Sequence, residues 1–283
     1  MPGYNLKEIL NRQKITIVIT DSGLGGISVL AGIEEKLKET KSLEEVNLIF
    51  FNSLPEKGTG YNSMPSTDIK AEVFNQALLS MEDKFSPDLI LIACNTLSIV
   101  YPFTHFAKDS KTPVLGIVEF GVAMILTEME KDDKSKVMIL GTETTINSET
   151  HKNRLVEKGI KGDRIISQAF PGLESEIQDS PGSETVKGRI EFYLNEGVEK
   201  LHDRNEPVIA ALCCTHYGFS SQLFYSTLEK IIDREITLLN PNEMMINSMV
   251  LEENRNSFSE TKMNVQVVSR AVIDDDEKNL LVD

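Results

Sequence analysis

Short apolar runs alternate with amphipathic stretches along the first half of this chain. The apolar runs predict four strands, at residues 15–20, 46–51, 89–93 and 114–118. Helical patterns follow the first three of them, over residues 27–38, 66–83 and 97–108. Strands that alternate with helices of this length favour a parallel sheet with helices on both faces. The sequence therefore predicts an α/β fold.

The same alternation starts again after residue 135. Further apolar runs predict strands at 136–140, 164–167 and 236–239, an edge strand at 265–268, and a buried strand that starts at Val208 and enters a turn ending at Gly218. The helical patterns lie at 147–158, from a turn at 180–183 to about residue 202, at 222–232 and at 243–253. We therefore expect two α/β halves of similar pattern.

Two of the predicted strands end in a cysteine that is followed by small polar residues. The followers are Asn95 and Thr96 after Cys94, and Thr215 and His216 after Cys214. Ligands of parallel sheets bind beyond the carboxyl ends of the strands. The polar residues expected at that edge of the first half are Asp21, Cys94 and Glu119. Both halves thus predict a thiol at the mouth of a strand.

Paired thiols suit proton transfer at carbon. A thiol with an ordinary pKa of about 8.5 can act as a base when neighbouring donors or a helix amino terminus stabilise its thiolate. Two thiols that face each other across a ligand could remove a proton from one face of a carbon and return one to the other. Asp21 and Glu174 could orient or activate these groups, and His216 could pair with a thiol.

Structural roles compete with these interpretations. A cysteine is often a small buried apolar residue, and Asp21 could serve only as a helix cap. Cys213 alternates away from Cys214 along the strand, which favours the core. The three other histidines lie in polar helical stretches and are expected at the surface: His105, His151 and His202.

Composition excludes several classes of function. The net charge of -15 argues against a nucleic-acid or anionic-membrane partner, because both are bound by basic surfaces. No apolar run approaches the ~18 residues of a membrane span. Residues 1–14 lack the apolar core of a signal peptide, so we expect a cytoplasmic protein. At 283 residues the chain is long enough for two domains.

Neither a metal nor a cofactor is expected. The three cysteines make no disulfide framework and lack the Cys-x-x-Cys spacing of a zinc site. The glycine-rich turn after the first strand, with Gly23, Gly25 and Gly26, is not the G-x-G-x-x-G of a dinucleotide site.

Five short motifs, taken in order, resemble those of glutamate racemase, within the wider aspartate/glutamate racemase superfamily. They are Asp21-Ser22-Gly23-Leu24-Gly25-Gly26, Ala93-Cys94-Asn95-Thr96, Gly116-Ile117-Val118-Glu119, Thr142-Glu143-Thr144-Thr145-Ile146 and Cys214-Thr215-His216-Tyr217. The resemblance covers roughly residues 15–239. It implies two pseudo-symmetric flavodoxin-like α/β domains with parallel sheets and an interdomain active site. The implied domains are 1–118 with 219–283, and 119–218.

The resemblance also implies an activity and the residues that perform it. The protein would be a cofactor-independent amino-acid racemase acting on glutamate, aspartate or a related acidic amino acid. Cys94 and Cys214 would be the two acid/base thiols, with Asp21 assisting the first and His216 and Glu174 the second. The residues that would hold the amino acid are Ser22, Tyr61, Asn62, Asn95, Thr96, Thr145 and Thr215.

The loop after the second strand departs from the family pattern. The family has an Asp after that strand and then Pro-Tyr-Gly, which helps to hold the substrate. Here Asn52 follows the strand, and the nearest counterpart is Gly60-Tyr61-Asn62. Asn62 brings an amide to a point where a glycine would let the backbone approach a ligand. We therefore predict a preference for a substrate that differs from glutamate in side-chain length or polarity.

Two other functions stay open at this point. One is another reaction of the superfamily, such as isomerisation or decarboxylation of a small dicarboxylate, which does not always need both thiols as an acid/base pair. The other is an amino-acid-binding protein that kept the fold and lost turnover. The sequence does not decide the oligomeric state, and a homodimer is one assembly compatible with it.

Overall fold

The computed structural model describes residues 6–56, 60–201 and 206–272, and the chain divides into two compact units. The first unit comprises Met1–Ile117 and Asn242–Asp283, and the second comprises Val118–Pro241. The chain returns to the first unit at Asn242, later than the predicted residue 219. The reason is that the strand Ile236–Leu239 pairs with the strand Val208–Cys213 and so belongs to the second sheet.

The strands form where the apolar runs predict them. They are β1 (Lys14–Asp21), β2 (Glu45–Asn52), β3 (Leu89–Ile92), β4 (Val114–Gly116), β5 (Lys136–Gly141), β6 (Ile165–Ala169), β7 (Val208–Cys213), β8 (Ile236–Leu239) and β9 (Lys262–Ser269). The first five helices along the chain are α1 (Leu6–Leu10), α2 (Ile27–Thr40), α3 (Thr67–Phe85), α4 (Asn95–Val100) and α5 (Phe106–Asp109). They continue with α6 (Ile117–Met129), α7 (Glu143–Asn147), α8 (Thr150–Glu157), α9 (Leu173–Asp179), α10 (Glu184–Glu199), α11 (Ser221–Ile231) and α12 (Pro241–Asn247).

The two sheets repeat one strand order. The first sheet runs β4-β3-β1-β2-β9, and the second, read from its β8 edge, runs β8-β7-β5-β6. All of these pairings are parallel. The shared order is that of a flavodoxin-like doubly wound sheet, in which ligands bind where the order reverses. Those reversal points lie between β1 and β3 in the first unit and between β5 and β7 in the second.

The central strands are apolar because both of their faces are covered. Every residue of β3 and of β7 is buried, as parallel strands between two helical layers require. In the second unit, an aromatic cluster of Phe170, Tyr217 and Phe224 packs with ring centroids 5.2 to 5.7 Å apart. This cluster lies directly beside the turn that follows β7.

Several helices differ from the prediction. The stretch at 97–108 is interrupted by a 3-10 turn at Tyr101–Phe103, where Pro102 lacks the N–H that a continuous helix needs. The helix predicted at 147–158 begins later, at Thr150 as α8, after Glu149, whose φ is 52°, and a separate short helix, α7, precedes it. The predicted helix at 243–253 is α12, which ends earlier, at Asn247. Three helices, α1, α6 and α9, were not predicted.

Glu119 lies in a different element from the one predicted. The strand β4 stops at Gly116, so Glu119 falls in the first turn of α6 rather than at a strand end. Its carboxylate forms an ion pair with Arg154 of α8. The helix α6 is apolar on most of its surface and largely buried, and this hid its periodicity.

The predicted surface position of His151 is wrong. Its side chain is only 2% exposed, and neither ring nitrogen has a hydrogen-bond partner among the described residues. The ring packs against α6 at Gly121, where an added Cβ would lie 3.7 Å from His151 Nε2 and 3.4 Å from Pro241 Cγ. His105 is exposed, as predicted. His202 and the acidic run at 274–277 lie outside the described residues.

Among the helices in the described part of the chain, none is both long enough and apolar enough to cross a membrane.

Candidate active site

The thiol of Cys94 lies at the reversal point of the first sheet. Cys94 lies two residues after the end of β3 and is the N-cap of α4, where its Sγ accepts a hydrogen bond from Leu97 N at 3.5 Å. The loop after the neighbouring strand β1 brings the hydroxyl of Ser22 to 3.2 Å from the same sulfur. Two strand-end loops therefore meet at one thiol.

A buried carboxylate accompanies this thiol. Asp21 is 1% exposed, and its Oδ1 accepts a hydrogen bond from Gly23 N at 3.2 Å. A Cβ at Gly26 would lie 3.0 Å from Asp21 Cβ and 3.1 Å from Oδ2. The glycine-rich turn thus lets the backbone close around the carboxylate, which a larger residue at Gly26 would prevent.

The surroundings keep Cys94 protonated at neutral pH. Burial and then the charge of Asp21 raise the pKa of the thiol to about 12, against the opposing effect of hydrogen bonds from Ser22 and Leu97. A cationic group placed beside the thiol and the carboxylate would favour the thiolate. The α-ammonium of an amino acid is such a group.

The amide of Asn95 is buried without protein partners. The side chain is 3% exposed, and both Nδ2 and Oδ1 lack a hydrogen bond within the described residues. Leaving a buried polar group unsatisfied costs about 1–3 kcal/mol. A polar ligand beside Cys94 would satisfy both ends of this amide. Thr96, which follows it in α4, is also buried.

The second thiol occupies the corresponding reversal point of the second sheet. Cys214 follows β7 directly, and its Sγ lies 4.0 Å from Nδ1 of His216 in the 3-10 turn Thr215–Ser220. The neighbouring strand β5 leads into α7, where the hydroxyls of Thr142 and Thr145 lie 3.1 Å apart. Thr145 and Thr215 are both buried.

The imidazole of His216 is held from its far side by α9. Its Nε2 lies 3.0 Å from Oε1 of Gln178. Because a carbonyl oxygen can only accept, Nε2 carries the ring proton and Nδ1 presents its lone pair to Cys214. This tautomer can take a proton from the thiol.

A family model described as Asp/Glu/Hydantoin racemase matches residues 18–211, which is more than half of the chain. The chain belongs to this family of racemases.

Curated and solved relatives agree with the predicted resemblance. The chain is 29% identical over 211 residues to the glutamate racemase of Helicobacter pylori, covering 73% of each chain. It superposes on the crystal structure of glutamate racemase from Campylobacter jejuni with a TM-score of 0.69 and 22% identity, over 94% of this chain and 96% of that one. For the Francisella tularensis glutamate racemase in complex with D-glutamate, the TM-score is 0.71 and the identity 18%, over 96% and 94%. The fold of this racemase family member is therefore the predicted one.

Gln178 is a site residue that the sequence analysis missed. The resemblance implies that Glu174 supports His216, and in the structure the side chain against Nε2 is Gln178. Both residues lie on α9, four positions apart and therefore on one face of the helix. The charge of Glu174 contributes to the raised pKa of Tyr217, so Glu174 belongs to the same cluster. Its role toward Cys214 stays a prediction.

The predicted residues of the loop after β2 differ in their burial and in their contacts. Tyr61 is buried, its hydroxyl donates to Ser53 O at 3.2 Å, and burial followed by the charge of Cys94 raises its pKa. Asn62 is exposed in the 3-10 turn Tyr61–Ser63. Asn52 holds the loop differently, since Oδ1 accepts from Leu54 N at 3.0 Å and Nδ2 donates to Ser269 Oγ at 3.1 Å.

Among the described residues, no group of three or more His, Cys, Asp or Glu could hold a metal ion.

Exchanging the neutral amide against His216 for a carboxylate tests this arrangement. In Gln178→Glu a negative charge lies against Nε2, and we expect the protonated fraction of His216 at a given pH to rise by about tenfold. An NMR titration of the imidazole measures it. Gln76→Glu on α3, in the first unit, is the control and should leave the titration unchanged. An unchanged His216 titration in Gln178→Glu would show that the amide does not set the tautomer.

Proposed function

We propose that this protein racemises glutamate, or a related acidic amino acid, and that Cys94 and Cys214 exchange the α-proton. The observation that carries the proposal is the matched position of the two thiols. Each follows the corresponding strand, β3 or β7, of a repeated strand order, and each has its own polar partner. The names of the curated relatives support glutamate as the first substrate to test.

The two thiols have different neighbours, in a way that suits opposite roles. Cys94 holds its proton, because burial and Asp21 raise its pKa. The sulfur of Cys214 lies 4.0 Å from His216 Nδ1, which can accept the thiol proton. In one direction the Cys214 thiolate removes the α-proton, and the carbanion takes a proton from the Cys94 thiol on its other face. In the reverse direction the two thiols exchange roles, so no proton is gained or lost overall.

The remaining polar groups suit an amino acid. The unsatisfied amide of Asn95 offers a donor and an acceptor beside Cys94. Buried hydroxyls of Thr96, Thr145 and Thr215 offer further donors, and these we assign to the carboxylate and ammonium groups of the substrate. A dicarboxylate isomerase or decarboxylase does not always need both thiols as an acid/base pair, and a binding protein would need neither. The polar partners at both thiols favour two-base chemistry.

Deuterium exchange tests the proposed function directly. The protein is incubated in heavy water with each enantiomer of glutamate, aspartate, glutamine, serine and alanine, and with maleate-like and malonate-like diacids. We expect deuterium at the α-carbon of glutamate or another acidic amino acid, together with formation of the opposite enantiomer. Conversion of a diacid, or tight amino-acid binding without α-exchange, would overturn the proposal.

The loop residue Asn62 is predicted to tune the choice among acidic amino acids. A site built around specific hydrogen bonds rejects analogues more sharply than an apolar pocket rejects one methylene. Asn62→Gly should shift the ratio of kcat/KM values toward glutamate, by about tenfold if one hydrogen bond of about 1.4 kcal/mol is involved. Ser63→Gly in the same exposed turn is the matched control. Equal selectivity in the unmodified protein and Asn62→Gly would contradict this role for the loop.

A further inference from the structure

Arg189 of α10 binds the segment that carries Gln178. Its guanidinium forms an ion pair with Glu176 of α9, donates to the carbonyl of Pro171 just before that helix, and reaches the hydroxyl of Tyr193 at 3.2 Å. The side chain is 34% exposed, so an isolated ion pair here would contribute little. Because the planar guanidinium contacts both Glu176 and the carbonyl of Pro171, Arg189 instead fixes the position of this segment.

The helix that Arg189 contacts, α9, is short and begins without a side-chain cap. It is seven residues long, and Gly172 at its N-cap has a φ of 72° and no side-chain cap. A helix this short is marginal without tertiary contacts. Leu173 and Ile177 bury one face in the core. Arg189 supplies the polar contacts at the first turn, on both sides of Gly172.

The same residue also supports the turn that carries His216. Its guanidinium lies over the Tyr193 ring, 5.7 Å from the centroid. The Tyr193 ring packs on Phe170 at 5.3 Å, and Phe170 packs on Tyr217 at 5.7 Å. Tyr217 is the neighbour of His216 in the chain. One side chain thus contacts α9 directly and reaches the turn after β7 through two aromatic rings.

We propose that Arg189 is a positioning residue for the racemase reaction: it holds Gln178 at hydrogen-bond distance from His216, and so keeps Nδ1 facing Cys214. This inference rests on the proposed function. Removing Arg189 would let the first turn of α9 shift and lengthen the Gln178–His216 contact.

A double-mutant comparison tests the proposal. Arg189→Ala should lower kcat about tenfold with little change in KM, since misplacement of a catalytic group by a fraction of an ångström has effects of this order. Gln178→Ala should lower kcat similarly, and the double variant should be no slower than Gln178→Ala alone. Lys187→Ala removes a surface cation from the same helix and should leave kcat unchanged. Arg189→Lys keeps the positive charge but lacks the planar guanidinium that makes both contacts, so it should resemble Arg189→Ala.

An NMR measurement separates this inference from the proposed function. The ring nitrogen shifts of His216 should change in Arg189→Ala as they do in Gln178→Ala, whether or not the protein turns over any substrate. Effects on kcat that multiply in the double variant, or His216 shifts unchanged in Arg189→Ala, would overturn the inference. If racemisation fails in the unmodified protein, the NMR result alone decides it. If Arg189→Ala does not fold by circular dichroism, Arg189→Lys is read in the same assays.

Discussion

Serine in place of either Cys94 or Cys214 is expected to abolish net racemisation and to leave the protein folded. A hydroxyl replaces the thiol with little change in shape but is a far weaker acid, and loss of a general acid or base lowers the rate by about 10²- to 10⁴-fold. Racemisation of glutamate followed by polarimetry measures it. Cys213→Ala is the control: Cys213 is buried in β7, burial raises its pKa to about 12, and no step uses it.

Exchange of the α-proton without inversion of the carbon distinguishes the two thiols more sharply than the loss of racemisation does. A two-base site from which one base is missing can still exchange the α-proton of the enantiomer that faces the remaining thiol. Cys94→Ser and Cys214→Ser should therefore retain exchange with opposite enantiomers. Retention with the same enantiomer in both variants would rule out the two-thiol mechanism, as would full racemase activity in either.

Acid should destabilise this protein through His151. Burial lowers the pKa of the ring to about 4, and the charge of Arg154 acts in the same direction. The unfolded chain takes up the proton near the ordinary histidine pKa of about 6.5. Stability supported by the neutral ring is therefore complete above pH 6.5 and is lost as the pH falls toward 4. The loss is about 3 kcal/mol for a shift of this size.

A leucine at position 151 removes this titration. The free energy of unfolding in urea should depend less steeply on pH between 6.5 and 4 in His151→Leu than in the unmodified protein. His105→Leu at the surface should keep the original slope. Parallel slopes in His151→Leu and the unmodified protein would mean that the ring does not stay neutral on folding.

The strands and the two thiols were predictable because their signals are local. An apolar run that ends in Cys94 or Cys214 is visible in about ten residues of sequence, and the parallel topology places such ends at one edge of a sheet. The same local signal predicts Asp21, the last residue of β1, and Ser22, which follows it.

The features that the sequence did not predict depend on contacts between segments that are distant in the chain. The helix α6 is covered on most of its surface, so it has no polar stripe to mark its period. His151 lies in a polar helix, but its ring is buried because Gly121 of α6 has no side chain to occupy that space. Gln178 became a candidate only once α9 was known to be a helix, because its spacing from Glu174 then places both on one face.

The edge strand β9 is translated long after its partner β2, so the first sheet is completed late in synthesis. It pairs with β2, and Asn52 bonds to Ser269 across a separation of 217 residues. At ribosomal speeds of about 5–20 residues per second, this separation takes roughly 10 to 40 s to translate. Throughout that interval the apolar strand Glu45–Asn52 lacks its outer partner, and an unpaired edge of this kind invites association with other chains. Chaperone binding to nascent chains should consequently concentrate on lengths that contain β2 but not yet β9.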